Sequence, residues 1–220
     1  MIVTIDGPAG AGKSTVARAL ARRLGFRFLD TGAMYRTVAL AAVQHNLRWE
    51  ESHQLVELAG RIRIELQGER ICLDGEDVSQ PIRTSEITAV THYAANNPGV
   101  RAILVEQQKQ AAGDDDIVTE GRDQGTVVFP HAECKIFLTA GAEERARRRA
   151  EELAARGESV SVEEVLADQS RRDQRDSSRA VGPLAAAPDA IEVNTDGLGP
   201  EEVIDRLEAL VRERMTATKR

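Results

Sequence analysis

Residues 7 to 14 read Gly7-Pro8-Ala9-Gly10-Ala11-Gly12-Lys13-Ser14, a glycine-rich run that ends in an amine and a hydroxyl. It follows the branched apolar stretch Ile2-Val3-Thr4-Ile5 and precedes an alanine-rich helical stretch, the strand-to-helix context that a phosphate-binding loop requires. Glycines let the backbone fold tightly with its N–H groups turned inward. The next helix adds its N-terminal partial positive charge, so loop and helix together cradle a polyphosphate. In that pattern Gly7 through Thr15 hold a nucleoside triphosphate, Lys13 reaches its β- and γ-phosphates, and Ser14 ligates the magnesium ion that accompanies ATP.

Such a loop binds a nucleotide without defining the reaction, and the arginines are the place to look for a second substrate. Asp30-Thr31-Gly32-Ala33-Met34-Tyr35-Arg36 ends one strand and opens a helix, which puts Thr31 and Arg36 near strand ends where ligands bind. Read alone, Arg36 is equally a solvated helix residue. Arg101 falls in the first turn of a helix opened by Pro98-Gly99, where a cation opposes the helix dipole unless an anion neutralises it. Glu120-Gly121-Arg122-Asp123-Gln124-Gly125-Thr126 follows the apolar strand Ile117-Val118-Thr119. There Arg122 offers a planar fork to phosphate, and Asp123 either orients that arginine or accepts a sugar hydroxyl. The alternative is a salt-bridged turn.

Ser161-Val162-Glu163-Glu164 is a capping box whose helix continues toward Arg171-Arg172-Asp173-Gln174-Arg175-Asp176-Ser177-Ser178-Arg179. Helical spacing places Arg172 beside Asp176 and Arg175 beside Arg179. With Glu143-Glu144-Arg145-Ala146-Arg147-Arg148-Arg149 it makes either an ordinary charged surface or the two sides of a closing flap, hinged near Gly157. Beside a phosphate loop such a flap neutralises transition-state charge and excludes water. His45, His53, His92 and His131 show no metal-ligand spacing.

The elements that must position these groups alternate. Ile2–Asp6, Phe26–Asp30, Ile117–Glu120, Cys134–Ala140 and Ile191–Thr195 read as buried parallel strands. Ser14–Leu24, Ala33–Gln44, Val100–Ala112, Ala142–Ala155 and Glu201–Arg214 read as helices. The expectation is an α/β doubly wound fold, three layers about a five-stranded parallel sheet. Residues 61 to 78 break the alternation: they alternate apolar and polar around Gln67-Gly68-Glu69 and turn again at Asp74-Gly75, a small antiparallel sheet. It is read as part of an inserted lobe over 37–113 with flanking helices, the alternative being an edge hairpin on the main sheet. Core residues are then 1–36, 114–141 and 180–220, with a helical lid at 142–179.

Composition narrows the partners. The chain of 220 residues suits one domain with an insertion, and 41% hydrophobic with 30% charged residues fits a folded soluble protein. A net charge of −7 argues against a nucleic-acid partner, no apolar run is long enough to span a membrane, and the glycine loop begins too early to leave room for a leader segment. Cytoplasmic location and a monomer are expected. Cys72 and Cys134 read as core residues and not as a disulfide or metal pair.

Taken together, Gly7 through Thr15, Asp30 through Arg36, Glu120 through Pro130 and Arg172 through Arg179 resemble the bacterial cytidylate kinase family from the first strand to the last helix. The resemblance implies a P-loop kinase fold with a mobile lid and an enlarged monophosphate-binding lobe, and transfer of the ATP γ-phosphoryl group to CMP or dCMP. It implies catalytic roles for Lys13, Arg122, Arg172 and Arg179. It places Arg36, Arg101, Arg122 and Arg172 on the monophosphate, and Asp123, Asp176 and Arg179 on sugar and cytosine, with Thr31 standing where the family often has serine. Gln124 replaces a usually apolar residue, and His92 stands where a base-contacting serine is expected. The other acceptors left open are UMP, AMP and shikimate. A GTPase-like switch is disfavoured because no Asn-Lys-x-Asp segment is present.

Overall fold

The computed structural model describes residues 1–68, 70–155 and 157–218. Glu69 of the expected hairpin turn and Arg156 of the expected lid fall outside the described residues. In chain order the elements are β1 (Ile2–Asp6), α1 (Lys13–Leu24), β2 (Arg27–Asp30), α2 (Thr31–Gln44), α3 (Ser52–Arg61), β3 (Ile64–Gln67), β4 (Arg70–Leu73), β5 (Glu76–Asp77), α4 (Ser85–Asn96), α5 (Pro98–Ala112), β6 (Ile117–Gly121), β7 (Cys134–Thr139), α6 (Ala142–Ala155), α7 (Val162–Ser177), β8 (Ile191–Asn194) and α8 (Pro200–Thr218). A π-helical turn, Gln124–Val128, follows β6.

The main sheet is parallel, in the order β2-β6-β1-β7-β8. β1 lies at its centre, in register with β6 from Ile2↔Ile117 to Asp6↔Gly121 and with β7 from Val3↔Cys134 to Asp6↔Phe137. The side chains of Val3, Thr4 and Ile5 have no exposed surface. That burial on both faces is why β1 reads as a continuous branched-apolar run and not as an alternating one. β3, β4 and β5 form a separate antiparallel sheet of three strands, so the hairpin does not extend the main sheet.

The chain divides into two compact units, Met1–Phe28 with Asp116–Arg220, and Leu29–Asp115; the division at Leu29 falls ahead of residue 37. The first unit has its own core, in which Val16, Ala17, Leu20 and Ala21 of α1 pack with Val3 and Ile5 of β1, Val118 of β6, Ile136 and Leu138 of β7, and Leu207 and Val211 of α8. The α1 residues form one stripe, and Gly25, at φ +70°, closes the helix with its N–H on the carbonyls of Ala21 and Arg22.

The second unit packs Met34 and Val38 of α2 with Leu55 and Leu58 of α3, Ile71 and Leu73 of β4, Ile87 of α4 and Leu104 of α5. Two of its helices begin at side-chain caps that fix their starts: Asp30 accepts the Ala33 N–H at the start of α2, and Asn97 accepts the Gly99 and Val100 N–H groups at the start of α5, where Pro98 takes the first position. No helix among the described residues is long and apolar enough to cross a membrane.

Candidate active site

The glycine loop runs from the carboxyl end of β1 to α1. Gly7, at φ +149°, has no room for a side chain, since a Cβ there would stand 2.1 Å from the Leu138 carbonyl oxygen. Gly12, at φ +79°, supplies the left-handed residue from which α1 starts. Lys13 is buried, and its Nζ donates to the Pro8 carbonyl across the loop at 2.6 Å. Burial pushes this amine down to about 7, reinforced by Arg122 and Arg172 and opposed by Glu120 and Asp6. Ser14 Oγ donates to Glu120 Oε1 at 2.8 Å, so the hydroxyl meets a carboxylate from the end of β6.

In sequence Glu120 reads as the last residue of a strand and the first of a charged turn, with no metal role. Its partnership with Ser14 comes from the pairing of β6 with β1, which sets Glu120 across from Ile5. Two hard oxygen donors, one of them anionic, suit a magnesium ion better than a softer metal.

Arg122 follows directly. Its Nε donates to Asp176 Oδ2 at 2.8 Å and its Nη1 to the Gly121 carbonyl at 3.1 Å. Arg179 donates to the other oxygen of Asp176. Burial raises the Asp176 carboxyl, but Arg122, Arg179 and Arg172 together outweigh that and hold it below the usual carboxylate range. Lys13, Arg122, Asp123, Arg172, Asp176 and Arg179 thus belong to one unit. The carboxylate seated on Arg122 is Asp176. One expectation is corrected: α7 ends at Ser177, so Arg179 lies past its C-cap Ser178 and reaches Asp176 from the turn, not from the next turn of helix beside Arg175.

Helices α6 and α7 meet the glycine loop itself. Asp173 of α7 accepts the Ala9 N–H at 2.9 Å, and Arg145 of α6 donates to the Ala9 carbonyl at 2.6 Å. Gln169 donates to the Arg145 carbonyl. Neither Asp173 nor Gln169 was distinguishable in sequence from the rest of a helix read as either a charged surface or one side of a closing flap. On α6, Arg147 pairs with Glu144 and Glu151, and Arg148 with Glu144. Gly157 has φ +83°, as a chain reversal after α6 needs.

Thr31, Arg36 and Arg101 lie in the second unit. Thr31 is buried at the start of α2. Arg36 donates to Asp30, which Arg83 also reaches at 3.2 Å, so Asp30 caps a helix and orders two guanidiniums at once. Arg101 is buried, donates to the Ala95 carbonyl and stands 5.6 Å over the Tyr35 ring. Gln124 is buried, and its Oε1 accepts the Thr119 hydroxyl at 3.0 Å. His92 Nδ1 bonds the Ala89 carbonyl, and its ring rests on Tyr93, which stacks on Trp49.

Comparison with known proteins agrees with this arrangement. The family model described as cytidylate kinase matches residues 3–213. The chain is 53% identical over 218 residues to a cytidylate kinase of Rhodopirellula baltica, covering 99% of this chain and 95% of that one. It is 48% identical over 211 residues to a cytidylate kinase of Caldanaerobacter subterraneus subsp. tengcongensis, covering 96% and 94%. Among solved structures, a shikimate kinase from Bacteroides thetaiotaomicron aligns at a TM-score of 0.51 and 16% identity over 96% of this chain and 98% of that one, a likeness of fold alone. Sequence match across nearly the whole length, together with the loop and the arginine cluster, shows that the chain belongs to the cytidylate kinase family.

Proposed function

We propose that the protein transfers the γ-phosphoryl group of ATP to CMP or dCMP, giving ADP and CDP or dCDP. Family membership supports the reaction class, and one structural observation carries the reading: Arg122 and Arg179 bond one buried carboxylate, Asp176, in the unit that holds the P-loop lysine. Guanidiniums already ordered on Asp176 lose less freedom when a phosphate ester arrives.

In this reading an acceptor phosphate oxygen attacks the γ-phosphorus in line as the bond to the β-phosphate oxygen breaks. The acceptor is an anion near neutral pH, so no dedicated general base is needed. Gly7 through Thr15 cradle the triphosphate, Lys13 follows the β- and γ-phosphates, and Arg122, Arg172 and Arg179 neutralise charge as it develops. Asp123 takes the sugar, while Asp176 and Arg179 read sugar and cytosine. Asp176 accepts from the N4 amino group, whereas uracil turns an oxygen toward the same carboxylate and is repelled. Arg36, Arg101, Arg122 and Arg172 are assigned to the acceptor phosphate and Thr31 to a hydrogen bond with the acceptor on sequence resemblance, with 37–113 as the CMP lobe and 142–179 as the lid.

Ser14 and Glu120 are the residues that would hold Mg²⁺ with ATP. When bound, that ion neutralises charge on the phosphate oxygens. The reading also has the protein acting as a monomer in the cytoplasm, with no membrane or nucleic-acid partner.

The test is acceptor-dependent ADP release across CMP, dCMP, UMP, AMP and shikimate at equal concentration. CMP and dCMP should give the highest kcat/KM. A preference for AMP or shikimate, or ADP release indifferent to acceptor, overturns the reading.

A further inference from the structure

Asp6, the last residue of β1, is a buried carboxylate that no step above employs. Its two oxygens take separate partners: Oδ1 accepts the Gln124 N–H at 2.9 Å and Oδ2 accepts the Gly125 N–H at 2.7 Å. These are the first two residues of the π-helical turn after β6. A carboxylate accepts both, whereas an amide would present a donor to one of them. The turn also sits close on β1, since a Cβ on Gly125 would lie 3.0 Å from Thr4 Oγ1 and 3.4 Å from Asp6 Oδ2.

That charge is held at a cost. Burial pushes the Asp6 carboxyl up to about 6, against the two N–H bonds, with Asp123 raising it further and Lys13 lowering it. Packing alone would be served by an uncharged residue. What the charge does is tie the strand that leads into the P-loop to the turn immediately after Arg122 and Asp123.

We propose that Asp6 is a positioning residue for phosphoryl transfer: by clamping the Gln124 and Gly125 N–H groups it fixes the peptide carrying Arg122 and Asp123, and so sets where the acceptor phosphate sits. The inference rests on the reading that Arg122 and Asp123 meet CMP. It assigns Asp6 to acceptor geometry and not to triphosphate affinity.

Asp6→Asn keeps the volume and one acceptor oxygen. It should raise KM for CMP and lower kcat so that kcat/KM falls on the order of 10²-fold, the scale of a displacement of about 1 Å at the reacting centre. Affinity for a non-hydrolysable ATP analogue, measured without CMP, should not weaken. Wild-type CMP kinetics in Asp6→Asn overturns the inference, and so does an equal loss of ATP-analogue and CMP affinity, which would mark a general structural role. Arg122→Ala, assayed alongside, separates the two levels: normal CMP turnover in that variant sinks the underlying reading, whereas lost turnover there with normal Asp6→Asn kinetics sinks this inference alone. Should Asp6→Asn fail to fold, amide exchange in the wild-type protein decides the matter. Gln124 and Gly125 should exchange far more slowly than solvent-exposed loop amides, and loop-like rates at both overturn the clamp.

Discussion

Arg145 and Asp173 close on the carbonyl and the N–H of a single residue, Ala9. Arg145 Nη1 donates to the Ala9 carbonyl and also to Asp173 Oδ2, each at 2.6 Å, while Asp173 Oδ1 accepts the Ala9 N–H. Both side chains are largely buried, at 9% and 17% exposure, so the pair is poorly screened. The helical hairpin of α6 and α7 is thereby fastened to the P-loop by hydrogen bonds to charged groups, each worth about 1.5–3 kcal/mol. Asp173→Ala should leave the fold intact and raise amide exchange in α7 and at residues 8–10 by about tenfold or more. Unchanged exchange in both segments would mean the pair bears no such load.

Gly7→Ala is expected to be among the most destabilising single changes in the chain. The backbone at φ +149° disfavours any side chain, and the obstacle 2.1 Å from the new Cβ is the Leu138 carbonyl oxygen of β7, which cannot rotate away. Moving it means moving the strand that pairs with β1. A loss of about 3 kcal/mol or more is expected, read from urea unfolding at neutral pH.

Lys13→Ala and Arg122→Ala address charge neutralisation. Each should lower kcat by ~10²–10³-fold, as loss of one well-placed donor to a developing charge does, with melting temperatures near wild type. Near-wild-type turnover in purified, folded Lys13→Ala would remove the P-loop lysine from the reaction.

What the sequence disclosed and what it withheld divide by range. β1, the glycine loop and α1 were legible because their signals are contiguous: a branched-apolar strand buried on both faces, then glycines, then Lys13-Ser14. The hairpin of β3 and β4 was legible from its alternation, and α7 from its capping box. α3 and α4 appeared only as unspecified flanking helices. The acids that order the site stayed hidden, because each acts on a residue far off in the chain. Ser14 and Glu120 are 106 positions apart, Asp6 and Gln124 are 118, and Ala9 and Asp173 are 164. Locally these acids are a strand end, a turn and a helix face. Only the parallel pairing of β1 with β6 and the packing of α7 give them partners. Arg179 was misplaced for a local reason: helical spacing was extended past Ser177, where the helix stops.

Glu120→Gln bears on the metal. The substitution keeps shape and a hydrogen-bond acceptor for Ser14 but removes the charge. Half-saturating Mg²⁺ for ADP release should rise about 10–100-fold, the range for altering a residue that supports a metal ligand, while saturating Mg²⁺ restores much of the rate. A Mg²⁺ dependence identical to wild type would exclude Glu120 from that role.

Two buried carboxylates of the first unit, Asp6 and Asp176, should give opposite pH signatures. Asp176 is held low by Arg122, Arg179 and Arg172 against the effect of burial, so its native value lies below that of the unfolded chain. The unfolded state then binds the proton more readily, and the stabilisation is complete above the unfolded value near ~4 and lost as pH falls through the native one. Asp176→Asn mimics the protonated form, so its stability deficit should be constant above about pH 5 and close on acidification. Asp6 runs the other way: with its native value pushed up to about 6, the native state binds the proton more readily, and its contribution falls as pH rises from ~4 to 6. Asp6→Asn escapes that loss, so its stability relative to wild type should improve across that window by roughly 3 kcal/mol. Urea unfolding of the three proteins from pH 3.5 to 7 reads both trends. If both variants shift in the same direction relative to wild type, the charge environments assigned to Asp6 and Asp176 are wrong.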